Sequence, residues 1–134
     1  MNKNKQHLVF LVDDDEIYLD TLEHHLQNKI ADNIKFKKYH TGEACLMDLY
    51  QNPTVIIIDH FLNTKIRDAS TGLSTIKKIK TACPHANIVL LSSQKELDVV
   101  AKAISKYQCK YVVKNNHAFN KIEAIIKNSI INSN

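Results

Sequence analysis

The sequence holds no apolar run long enough to cross a bilayer. Its longest, residues 8–12 and 55–58, fall far short of the ~20 residues a membrane helix needs. The basic opening MNKNKQH leads into an apolar stretch too short for a secretory signal and closed by three aspartates. A cytoplasmic location without membrane contact is therefore expected. Cysteine is scarce: Cys45, Cys83 and Cys109 are odd in number, far apart, and form no Cys-x-x-Cys pair. That argues against a disulfide framework or a zinc site, and for free thiols in a reducing compartment. The seven histidines are scattered, and only His24 and His25 are adjacent. Neighbours on a helix point about 100° apart, a poor metal pair, so all seven are read as structural or surface residues. Arg67 is the single arginine, and there is neither an aromatic platform nor a helix-turn-helix pattern, so direct nucleic-acid binding is not expected. No Gly-x-x-x-x-Gly-Lys phosphate loop, linker, repeat or low-complexity stretch is present.

What is present has the balance of one globular domain. The 134 residues are 44% hydrophobic and 24% charged, enough to bury a core. Eighteen basic against fourteen acidic residues leave a formal charge of +4, yet Asp13, Asp14, Asp15 and Glu16 stand in one run. Five short apolar runs recur at 8–12, 34–39, 55–58, 88–91 and 111–113. The first, third and fourth lack polar alternation, as strands covered on both faces do. Between them lie sets at helical spacing: Ile17, Leu19, Leu22, Leu26 and Ile30, then Ala44, Met47 and Leu49, then Leu73, Ile76 and Ile79. Val99, Val100, Ala103 and Ile104 form the fourth, and Ile122, Ile125, Ile126 and Ile130 the fifth. Five β-α repeats predict an α/β fold, a doubly wound five-stranded parallel sheet with helices on both faces. The expected single domain spans 1–134 with a core over about 7–131. The Asn-rich tail, 128–134, is expected to fray, with 132–134 outside the core.

Ligands in such sheets bind beyond the carboxyl ends of the strands. Asp13 and Asp14 follow the first run, Asp59 the third, Ser92 and Ser93 the fourth, and Lys114 the fifth. Crowded carboxylates repel unless a cation lies between them. Oxygen donors at an open rim suit a hard ion, Mg²⁺ best. A lysine and a serine alongside can hold phosphoryl oxygens, and an aspartate can itself be the nucleophile. Asp15 is read as the cap of the following helix.

The runs Val9-Phe10-Leu11-Val12-Asp13-Asp14-Asp15, Val55-Ile56-Ile57-Ile58-Asp59, Leu90-Leu91-Ser92-Ser93 and Tyr111-Val112-Val113-Lys114 together resemble the receiver domain of two-component response regulators. The likeness reaches from about Leu8 to Ile131 and implies a flavodoxin-like (βα)5 fold. It implies that Asp59 accepts a phosphoryl group from a sensor histidine kinase or histidine phosphotransfer protein. It also implies that Asp14, Asp59 and the Phe61 backbone carbonyl ligate Mg²⁺, with Asp13 acting through water. Lys114 would pair with Asp59 and then with the phosphoryl oxygens; Ser92 would hydrogen-bond the phosphoryl group and Tyr111 would turn inward. The changed surface would lie on the fourth helix, fifth strand and fifth helix, where a downstream protein docks. Phe61 and Gln94 would flank the path of a hydrolytic water, Phe61 shielding the acyl phosphate. The expected protein is thus a stand-alone relay or adaptor, not an enzyme, and a monomer or weak homodimer. Several positions depart from the family pattern. Asn115 and Asn63 stand where prolines are usual, the loop 62–71 before Gly72 is long and carries Lys65 and Arg67, and Lys106, Tyr107 and Lys110 replace small residues.

Other readings of the same residues are a pseudo-receiver that binds partners without phosphorylation, and a haloacid-dehalogenase-type phosphatase. The latter would use Asp13 as nucleophile and Asp15 as acid/base, but it needs acidic metal ligands after a late strand, and none follow Val113. A flavin-binding protein would want a Ser/Thr-rich loop where this chain has aspartates.

Overall fold

Strands and helices alternate along the chain. In the computed structural model, residues 6–30, 33–60, 72–92 and 97–133 are described. The order is β1 (His7–Val12), α1 (Glu16–Lys29), β2 (Ile34–Tyr39), α2 (Gly42–Met47), a 3-10 turn (Leu49–Gln51) and β3 (Val55–Asp59). Then follow α3 (Gly72–Ala82), β4 (Asn87–Ser92), α4 (Leu97–Tyr107), β5 (Lys110–Val113) and α5 (Ala118–Ser133). All strands pair in parallel in one sheet ordered β2-β1-β3-β4-β5. This is the doubly wound five-stranded parallel sheet that the β-α alternation predicts, in the flavodoxin-like arrangement that the resemblance implies. The strand order reverses between β1 and β3, which opens a crevice at their carboxyl ends.

Alternate side chains of each strand face opposite sides of the sheet, and each side has its own core. Val9, Leu11, Val55, Ile57, Val89 and Leu91 pack against Leu19, Leu22 and Leu26 of α1 and Ile122 and Ile126 of α5. Phe10, Val12, Ile56, Ile58, Ile88 and Leu90 pack against Cys45 of α2, Ile76 and Ile79 of α3 and Ala103 of α4. Covering on both faces is why β1, β3 and β4 read as unbroken apolar runs, whereas the edge strand β2 alternates with lysines.

The helical stripes are narrower than their spacing predicts. Ile17 and Met47 are each 78% exposed and Ile104 is 50% exposed. Ile17 lies two residues before buried Leu19, and Met47 two after buried Cys45, which turns each about 200° away from the core. Ile104 is one step, about 100°, from buried Ala103. At the far end of the chain, α5 runs to Ser133. Ile122, Ile126 and Ile130 keep a buried stripe at every fourth position, and the Ser129 hydroxyl donates to the Ile125 carbonyl at 2.8 Å. No helix among the described residues is long and apolar enough to cross a membrane.

Candidate functional site

Each candidate side chain is set at a strand end by the turn that follows it. Asp13 continues β1, its N–H donating to the Tyr39 carbonyl at 3.0 Å. Its carboxylate is buried, and Oδ1 accepts the Asp15 N–H at 2.9 Å. Asp15 in turn caps α1, its Oδ1 accepting the Tyr18 N–H at 3.1 Å. This leaves Asp14 half-buried between them. Asp59 is the last residue of β3 and 4% exposed. Gly72 opens α3 directly against it: a Cβ there would overlap the Asp59 carbonyl oxygen, so only glycine permits this approach. Ser92 ends β4 and is buried, its carbonyl accepting the Lys114 N–H at 2.8 Å.

Asp13, Asp14 and Asp59 each offer an oxygen, all within 4.8 Å of one another. Lys114 faces them, its Nζ 2.7 Å from Asp13 Oδ2 and 3.7 Å from Asp59 Oδ1. Lys114 lies within ion-pair distance of Asp59, and Asp13 is a second and nearer partner. The reason is electrostatic. Burial pushes the Asp13 carboxyl above its ordinary value, against the hydrogen bonds from Lys114 and the Asp15 N–H, and the charge of Asp14 pushes it the same way. The most deeply desolvated carboxylate gains most from an ammonium. Burial alone would lower Lys114, but its hydrogen bond to Asp13 and the charges of Asp13, Asp59 and Asp15 outweigh that and raise it.

The sequence reading missed Tyr18. Its ring lies under the Lys114 ammonium, 4.1 Å from Nζ to the centroid, and is held edge-on by Phe119 at 5.5 Å. Burial and the negative charges of Asp13, Asp59 and Asp15 push its hydroxyl up to about 12. That hydroxyl is buried and has no hydrogen-bond partner among the described residues. The signal was its place three residues past the Asp15 cap, in the first turn of α1 beside the aspartates. Tyr111 lies on β5, half-buried and packed on the α2-α3-α4 side of the sheet. Asn115, which replaces a usual proline, accepts the His117 N–H on Oδ1 at 2.9 Å and so shapes the turn into α5. Phe61, Gln94, Ser93 and the loop 62–71 with Asn63, Lys65 and Arg67 lie outside the described residues.

Oxygen-only donors at this spacing, rimmed by one ammonium and one hydroxyl, fit a hard divalent cation together with a phosphoryl group. A family model described as response regulator receiver domain matches residues 9–127. No curated protein sequence matches the chain. Among solved structures, the BeF3-activated receiver domain of DrrB, an OmpR/PhoB homologue of Thermotoga maritima, superposes with a TM-score of 0.76. Its identity is 23%, covering 93% of this chain and 97% of that one. A response regulator receiver domain protein of Clostridium thermocellum gives a TM-score of 0.79 at 18% identity, over 95% and 96% of the two chains. The Mn²⁺-bound form of response regulator Rcp1 gives 0.74 at 19%, over 89% and 91%. At these identities the structural likeness carries the fold.

Proposed function

The chain belongs to the response regulator receiver domain family of two-component signalling, and from that membership we propose that it accepts a phosphoryl group on Asp59. The observation that carries the reading is the convergence of three carboxylates within 4.8 Å, with Lys114 beside them and Ser92 ending the neighbouring strand. An Asp59 oxygen attacks phosphorus, the bond from phosphorus to the donor nitrogen breaks, and the imidazole of a histidine kinase or phosphotransfer protein leaves with that electron pair. Asp14, Asp59 and the Phe61 carbonyl would hold Mg²⁺, with Asp13 acting through water; the cation supplies positive charge to the phosphoryl oxygens. Lys114 shares its ammonium between the acids and the incoming phosphoryl oxygens. Ser92 donates its hydroxyl to another, and Phe61 shields the product from water.

Signalling then requires the new charge to alter a surface. Ser92 ends β4, and Tyr111 sits on β5 opposite Leu90. Movement of that pair would change the face formed by α4, β5 and α5, where a downstream protein binds. The chemistry is confined to the protein's own aspartate, so the role is that of a signalling module and not a turnover enzyme. Incubation with acetyl phosphate and Mg²⁺ should add the mass of one phosphoryl group, lost in Asp59→Ala. No gain in the wild type, or gain that persists in Asp59→Ala, overturns the assignment.

A further inference from the structure

At the opposite end of the sheet, three donor atoms from two turns meet. Asn52 follows the 3-10 turn and adopts a left-handed conformation, φ 63° and ψ 59°, which asparagine tolerates. Cys83 and His85 lie in the turn between α3 and β4. Cys83 Sγ is 3.7 Å from His85 Nε2 and 3.8 Å from Asn52 Oδ1, and those last two atoms are 3.1 Å apart. Tetrahedral zinc with ordinary Zn–S, Zn–N and Zn–O bonds has donor-to-donor edges of about 3.4–3.6 Å. All three observed edges lie close to that range, so one ion above the triangle can reach every donor.

A Cys-His-Asn nucleophilic relay is excluded by the same geometry. In a relay one ring nitrogen meets the thiol and the other meets the orienting group. Here Nε2 faces both partners, so the donors converge on a point. The point is open on one side: Asn52 and His85 line a cavity of about 350 Å³ with Gln51, Thr54 and Asn87, while Cys83 is buried behind them at 3% exposure. Water can complete a fourth position there. Helix α3 ends at this place, the Cys83 N–H donating to the Ile79 carbonyl, and the carbonyl end of a helix favours a cation.

We propose that Asn52, Cys83 and His85 bind Zn²⁺. Cys83 releases its thiol proton to solvent on binding, His85 donates the Nε2 lone pair, and Asn52 its amide oxygen. The cation pins the turn before β3 to the turn before β4, on the edge remote from the acids. The sequence reading set all seven histidines aside and saw no paired cysteines; the donors come together only because the fold brings residue 52 beside residues 83 and 85.

The test uses the full chain carrying Asp14→Asn and Asp59→Asn, so that the acidic site does not compete. It is titrated under reducing conditions with Co²⁺, a spectroscopic stand-in for Zn²⁺. A near-ultraviolet thiolate-to-cobalt charge-transfer band should grow to one equivalent and vanish when Zn²⁺ displaces it. Cys83→Ser should abolish the band, whereas Cys45→Ser and Cys109→Ser should keep it. His85→Gln, on an exposed ring that the core does not need, should weaken binding roughly ten-fold or more. No band in the parent protein, a band that survives Cys83→Ser, or unchanged affinity in His85→Gln overturns the proposal. None of these outcomes bears on phosphorylation of Asp59.

Discussion

Residue by residue, the site is dominated by one buried pair. Asp13 is 1% exposed and Lys114 17% at the side chain, with 2.7 Å between them. Removing one partner leaves the other uncompensated, a loss of about 3–5 kcal/mol for a fully buried pair. Lys114 retains some solvent, so Lys114→Met should fall near the low end of about 3–5 kcal/mol. Asp13→Asn combined with Lys114→Met should lose less than the two singles summed, because Lys114→Met no longer strands the Asp13 charge. Urea unfolding of the four proteins without divalent cations checks this; strict additivity would show that the pair is not coupled. Tyr18 belongs to the same unit, since its ring face is spent on the ammonium and its hydroxyl on no described partner.

At the scale of elements, α1 and α5 are joined on the sheet's outer face by a small polar seam. His25 Nε2 meets Glu123 Oε1 at 3.0 Å, and Lys127 reaches Glu123 Oε2 at 3.0 Å. The Lys127 hydrogen bond first, then the one from His25, holds the Glu123 carboxyl below its ordinary value. A carboxyl lowered in the fold stabilises above its unfolded pKa, and that contribution disappears as pH falls through the folded value. Glu123→Gln should therefore be less stable than wild type at pH 7, and the gap should close under acid conditions. Urea midpoints across that pH range measure it; a gap independent of pH would contradict the assignment. The elements differ in how plainly they are written. Strands β1, β3 and β4 were legible because burial on both faces leaves no polar interruption. Helix stripes were not: spacing marked Ile17, Met47 and Ile104 as inward, but rotation about each axis is fixed by packing against the sheet. In α5 the stripe of Ile122, Ile126 and Ile130 was legible from its spacing, and the asparagines around it carried the expectation of a fraying end.

Across the whole molecule, the sheet separates two cores. Leu22 packs on the α1-α5 side and Ile76 on the α2-α3-α4 side, both buried. Each truncation to alanine should lose about 2–5 kcal/mol. The Leu22→Ala, Ile76→Ala double variant should equal their sum within about 0.5 kcal/mol. A larger departure in urea unfolding would mean that the sheet transmits strain between its faces. The acid site was legible at this scale because four strand ends name it: Asp13 and Asp14, Asp59, Ser92, and Lys114. The cluster of Asn52, Cys83 and His85 was not, since its donors are neutral, of mixed type, and separated by about thirty residues. One further feature follows from β5, which has only four residues and lies at the sheet's edge. Lys114 hangs from that strand, and its partner Asp13 from the first, 101 positions away. The site is then only as durable as its shortest support. Local opening of β5 would withdraw the ammonium while the rest of the sheet stayed folded, leaving the buried Asp13 carboxylate without its nearest cation.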